Sequence, residues 1–125
     1  MGYRSRVAIA IRQDAVAEFE AACPVAVAEL FNAPYRIKCD KAGTAQLYVV
    51  DSVKWYDDDP DFQEVAEIVR WMRDNDDELF RFVRAGEDSG DMEDRGYLVC
   101  PVHVYEGAPY LELPLPLDDS APAKS

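Results

Sequence analysis

Residues 4–14 read Arg4-Ser5-Arg6-Val7-Ala8-Ile9-Ala10-Ile11-Arg12-Gln13-Asp14, and this stretch decides the fold class. On an extended chain Val7, Ile9 and Ile11 point one way, and Arg6, Ala8, Ala10 and Arg12 the other. Such alternation predicts a half-buried strand. Asp14 then predicts the N-cap of a helix running to about Asn32. On a helical wheel Val16, Phe19, Cys23, Ala26, Val27 and Leu30 share one face, with Asp14, Glu18 and Glu29 opposite. Pro24 interrupts this helix at a cost of about 3 kcal/mol in an interior. The apolar phase continues across it, so a kinked helix is expected rather than two unrelated ones.

Two strands follow, Tyr35–Cys39 and Ala45–Tyr56, joined by a turn at Asp40-Lys41-Ala42-Gly43. Asp59-Pro60 suits a second helix start, with Asp59 as cap and Pro60 in the first turn. Phe62, Val65, Ala66, Ile68, Val69 and Met72 form its expected apolar face, which leaves Trp71 on the polar arc between Glu64 and Glu67. Leu79–Arg84 reads as a strand with Phe80 and Phe82 on one side. Further strands are expected over Tyr97–Tyr105 and Tyr110–Leu113. The order β-α-β-β-α-β predicts an α+β fold of the split, ferredoxin-like kind, an antiparallel sheet with two helices on one face and one or two extra C-terminal strands. Residues 1–113 are expected to form one domain, with 114–125 a flexible Pro-rich tail. Ala8 and Ala10 would lie on the sheet face away from the helices, a small uncharged stripe suited to a second subunit, hence a homodimer, or to a partner.

The charge is lopsided. Residues 1–56 hold 7 Lys/Arg and 6 Asp/Glu, while residues 57–119 hold 5 and 19, so the net charge of −12 belongs to the second half. The acids run together at Asp57-Asp58-Asp59, at Asp76-Asp77-Glu78 and from Glu87 to Asp94. Such a field repels nucleic acid and anionic membrane and attracts a basic partner or a cation. Cys23, Cys39 and Cys100 are too few for a disulfide framework and read as core residues of a reduced, cytoplasmic protein. No apolar run is long enough to span a bilayer, and no signal-peptide core is evident.

The loop Gly86–Gly96 packs Glu87, Asp88, Asp91, Glu93 and Asp94 between glycines. Its oxygen ligands suit Ca²⁺ or Mg²⁺, but it lacks the EF-hand pattern, and no metal or other cofactor is expected. Trp71 among carboxylates reads either as an interface anchor in a polar rim or as packing against a sheet edge. Strand alternation sends one of Trp55 and Tyr56 into the core. His103 is the only histidine, which excludes a multi-histidine metal site, and Cys100 and His103 fall on opposite faces of a strand. There is no phosphate loop, GxSxG or HExxH, and no enzyme activity is expected. The missing RNP pattern and the acidity argue against direct RNA binding.

Met1-Gly2-Tyr3-Arg4-Ser5, Val53-Lys54-Trp55-Tyr56 and Phe82-Val83-Arg84-Ala85-Gly86-Glu87-Asp88 with Asp91 and Glu93 resemble a group of small bacteriophage proteins of unassigned function. The likeness runs to about residue 105. It implies an accessory protein acting inside a bacterium, and it brings no catalytic residues. The Pro-rich tail and the extra acids at Asp57–Asp59 depart from it. The reading favoured by the residues is a non-enzymatic protein that blocks a basic, nucleic-acid-binding host protein by charge mimicry. Asp57, Asp58, Asp59, Asp61, Glu64, Glu67, Glu87, Asp88, Asp91, Glu93 and Asp94 would replace phosphates, and Trp71 would serve as anchor. The alternative is a small-molecule-binding module, with Arg6, Arg12, Lys54 and Arg81 around an anion on the sheet face or at a subunit interface.

Overall fold

The computed structural model describes residues 5–31, 33–39, 43–53, 55, 63–86, 91–105 and 110–116. Their elements are β1 (Ser5–Arg12), α1 (Val16–Ala22), β2 (Tyr35–Cys39), β3 (Gly43–Val53), α2 (Gln63–Asp74), β4 (Phe80–Ala85), β5 (Met92–Arg95), β6 (His103–Tyr105) and β7 (Tyr110–Glu112). Strands β1–β5 form one antiparallel sheet in the order β2-β3-β1-β4-β5, and β6 pairs with β7 in a separate hairpin. The chain is therefore α+β.

The alternation in β1 sorts the molecule into layers. Val7, Ile9 and Ile11 face the helices together with Tyr48, Phe80 and Phe82, and meet Phe19, Val65, Ile68 and Met72 there. Ala8 and Ala10 face the other way, as their spacing predicts. That second face is not open: Leu98, Cys100, Val102 and Leu111, from the chain's own C-terminal segment, pack over Ala8, Ala10, Ile37, Leu47 and Val83. The small side chains of β1 accommodate this cover, which displaces the expected subunit contact from the alanine stripe. Tyr35 fastens the exit of the cover by donating its hydroxyl hydrogen to the carbonyl of Pro114 at 3.0 Å.

The first helix departs from expectation at its start. Asp14 does not cap it; its carboxylate takes both Nε and Nη2 of Arg12, at 2.7 and 3.1 Å. A 3₁₀ turn, Gln13–Ala15, leads into α1 instead. Where one kinked helix is expected, the chain breaks at Pro24: Cys23 leaves helical geometry, and a π-helical turn, Ala26–Leu30, resumes beyond it on the same apolar face. Two elements were missed or misplaced from the sequence. β5 arises inside the acidic loop, and residues 97–102 cross the second face without ladder pairing, so the expected long strand shortens to His103–Tyr105. The turn at 40–42, the start of the second helix and the tail beyond residue 116 lie outside the described residues.

Candidate interaction surface

The acidic loop is organised by one cation. Arg84, on β4, stands directly across from Glu93 on β5. Its Nε donates to Glu93 at 2.6 Å, its Nη2 to Asp91 at 2.7 Å, and its Nη1 to the hydroxyl of Ser5 at 2.9 Å. The turn is closed further by the Gly86 amide, which donates to the Asp91 carbonyl at 2.8 Å. On the opposite face Arg81 holds Asp94 through two bonds of 2.7 and 2.9 Å. Bidentate, partly buried pairs of this kind are among the stronger charge contacts, and the carboxylates raise the pKa of Arg84 against the lowering effect of its burial. Asp91, Glu93 and Asp94 thus spend their charge within the chain. Glu87 and Asp88 lie outside the described residues.

Segments far apart in sequence meet at this end of the sheet. Ser5 pairs with Val53, and two residues on Trp55 packs its ring 5.2 Å from Phe82. Trp55 is the aromatic that turns inward; Tyr56 lies outside the described residues. Ser5, Trp55, Phe82, Arg84, Asp91 and Glu93 therefore form one neighbourhood around the ends of β1, β3 and β4.

The second helix is rotated relative to the expected wheel, towards Glu67 and Trp71. Trp71 is 4% exposed, with its ring 5.1 Å from Phe19 and 5.6 Å from Phe80, so it is a core residue and not a surface anchor. Glu67 is 7% exposed and accepts from the amides of Val25 and Ala26 at 3.1 and 3.0 Å. These two amides lose their helical carbonyls where Pro24 breaks the chain, and the carboxylate replaces them. An isolated wheel places Glu67 on the polar arc because it registers neither the helix break nor the need it creates.

Glu64 is half-buried; Asp57, Asp58, Asp59 and Asp61 lie outside the described residues. Glu18, Glu29, Glu64, Asp77 and Glu78, on the helical layer or the turn that leaves it, have neither an ion-pair nor a side-chain hydrogen-bond partner among the described residues, whereas Glu20, Glu67 and Asp76 accept hydrogen bonds without an ion pair. Glu18 and Glu29 were not expected as site residues. Their signal was present: no Lys or Arg occurs from Gln13 to Tyr35. Asp76 instead closes the next turn by accepting from the Glu78 amide at 3.0 Å.

The residues expected to hold an anion are engaged elsewhere. Arg6 pairs with Asp51 at 3.0 Å, Arg12 with Asp14 and Arg81 with Asp94, while Lys54 lies outside the described residues. Cys100 is buried and His103 exposed, and burial pushes the Cys100 thiol up to about 12, which makes it a poor nucleophile at neutral pH. Among the described residues no three His, Cys, Asp or Glu side chains gather as a metal site, and no helix is long and apolar enough to cross a membrane. No family model, curated protein or solved structure matches this chain.

Proposed function

We propose that this protein is a non-enzymatic, phage-type interaction protein that works in the bacterial cytoplasm by occupying a basic, nucleic-acid-binding surface of a host protein. The observation that carries the reading is the set of carboxylates on the helical layer that have no partner among the described residues: Glu18, Glu29, Glu64, Asp77 and Glu78. On a chain of net charge −12 they set up a field that steers a cationic surface inward and repels nucleic acid itself. The β5 edge contributes less, because Asp91, Glu93 and Asp94 are held in ion pairs with Arg81 and Arg84, which offset two of their three charges. The fold is proposed to be the ferredoxin-like split βαβ with β5 added at one edge. Support comes from the two crossovers, β1-α1-β2 and β3-α2-β4, each of which brackets one inserted strand.

A pull-down from bacterial lysate at low salt is expected to recover basic nucleic-acid-binding proteins. Their release should steepen as salt is raised from about 50 to about 500 mM, because screening removes charge attraction between exposed groups. A double charge reversal at Asp77 and Glu78, which spares the turn-closing Asp76, should abolish recovery while the fold is retained. Recovery that ignores both salt and the reversal would overturn the reading.

A further inference from the structure

Two of the three cysteines meet. Cys39 ends the edge strand β2, and Cys100 lies in the segment crossing the second face of the sheet. Both belong to the apolar layer there, and the nearness of the Cys39 thiol is one of the causes, after burial, that raise the Cys100 pKa. Cys23 is buried on the helical side of the sheet, in the other apolar layer, and is out of their reach. Cys100 also lines an open cavity of about 400 Å³ with Lys38, Val99, Pro101 and His103, which brings a small solute up to this residue.

We propose that Cys39 and Cys100 are a redox modification site, at which a hydroperoxide converts the thiol pair into an intrachain disulfide that fastens the C-terminal cover to β2. The Cys100 sulfur attacks one peroxide oxygen and the O–O bond breaks. The Cys100 thiol proton leaves with the other oxygen, as water when the oxidant is hydrogen peroxide, and a sulfenic acid remains. The Cys39 sulfur then displaces the sulfenic hydroxyl, which departs with the Cys39 thiol proton as a second water. Two thiols have lost two electrons to one peroxide. Burial keeps thiolate scarce at neutral pH, so this site closes slowly, as a latch under sustained oxidation rather than as a fast sensor. The closed loop runs from residue 39 to residue 100, and long loops are those whose closure most restricts the unfolded chain.

The test uses the wild-type protein, fully reduced, then incubated with excess hydrogen peroxide and mapped by non-reducing proteolysis and mass spectrometry. The expected product is a monomer lighter by two hydrogens, with a Cys39–Cys100 cross-linked peptide and Cys23 still free. Its Tm should rise by on the order of 10 °C and return on addition of dithiothreitol. Cross-linking that involves Cys23, disulfides only between molecules, three surviving thiols, or a sulfinic acid at Cys100 with Cys39 still reduced would each overturn the proposal. Cys39→Ser supplies a second readout: a Cys100 sulfenic acid trapped by dimedone, and no rise in Tm. The same rise in that variant would remove the latch from the account.

Discussion

Replacing Glu67 by alanine would leave the amides of Val25 and Ala26 buried without an acceptor, beside a break that already denies them their helical carbonyls. The loss should be about 3 kcal/mol, since an unsatisfied buried donor costs more than the net value of the bond it replaces. Glu67→Gln retains a carbonyl oxygen at the same place and should lose less than half of that. Urea denaturation of the two variants separates the capping role from the charge. Gly96 makes a second demand on a single residue. Its φ is +90°, and a Cβ there would stand 2.2 Å from the carbonyl oxygen of Phe80. Gly96→Ala therefore meets both backbone strain and a clash with backbone, and should destabilise by about 3 kcal/mol or more in the same assay. Gly43 also has a positive φ, +84°, but open space around its Cβ position, so alanine there meets only the conformational penalty.

Among the elements, β5 depends most on a single side chain. Met92-Glu93-Asp94-Arg95 has little intrinsic preference for a strand, and its place at the sheet edge comes from the ion pairs of Arg84 and Arg81 across the ladder. Arg84→Gln should strand Asp91 and Glu93 beside each other, cost about 2–4 kcal/mol, and release β5 before the rest of the sheet unfolds. Hydrogen exchange would register this as selective loss of protection at residues 92–95, with β1 and β3 unchanged. These pairs also explain why β5 was not legible in the sequence, where its acids read as a solvated loop; the arginines that hold Glu93 and Asp94 are nine and thirteen residues away on another strand. β1, β2 and β4 were legible because their period-2 pattern is local and each has a buried face. Ala8 and Ala10 were placed on the right face, but nothing local announced that Leu98, Cys100, Val102 and Leu111 would return to cover them. Trp71 and Glu67 were misjudged for a related reason: α2 packs against a broken helix as well as a sheet, so its buried arc is wider than its own apolar residues suggest.

At the scale of the whole molecule, apolar layers on both sides of the sheet hold acidic groups in their neutral forms. Burial pushes the thiols of Cys23 and Cys100 up to about 12, from an ordinary 9.0, and raises the Tyr48 hydroxyl, which also donates to Glu20 at 2.7 Å. Cys23 and Tyr48 lie on the helical side and Cys100 under the C-terminal cover, so alkali acts on both layers at once. A group whose proton is held more tightly in the folded chain than in the unfolded one makes stability fall as pH rises between its two pKa values. For the two thiols that window opens near 9.0 and closes near 12. The protein should consequently be insensitive to pH between about 7 and about 8.5 and lose stability steadily above about 9, with more than one proton released on unfolding. Urea titrations at a series of alkaline pH values give that proton number as a slope. Cys23→Ala removes one contributor, so its slope should be shallower than the wild type's although its stability at neutral pH is lower, because the cavity costs about 1–2 kcal/mol regardless of pH. An identical slope in that variant would mean that the Cys23 thiol ionises as readily in the folded chain as in the unfolded one, and that the helical layer admits water where the packing of Phe19, Tyr48 and Trp71 closes it.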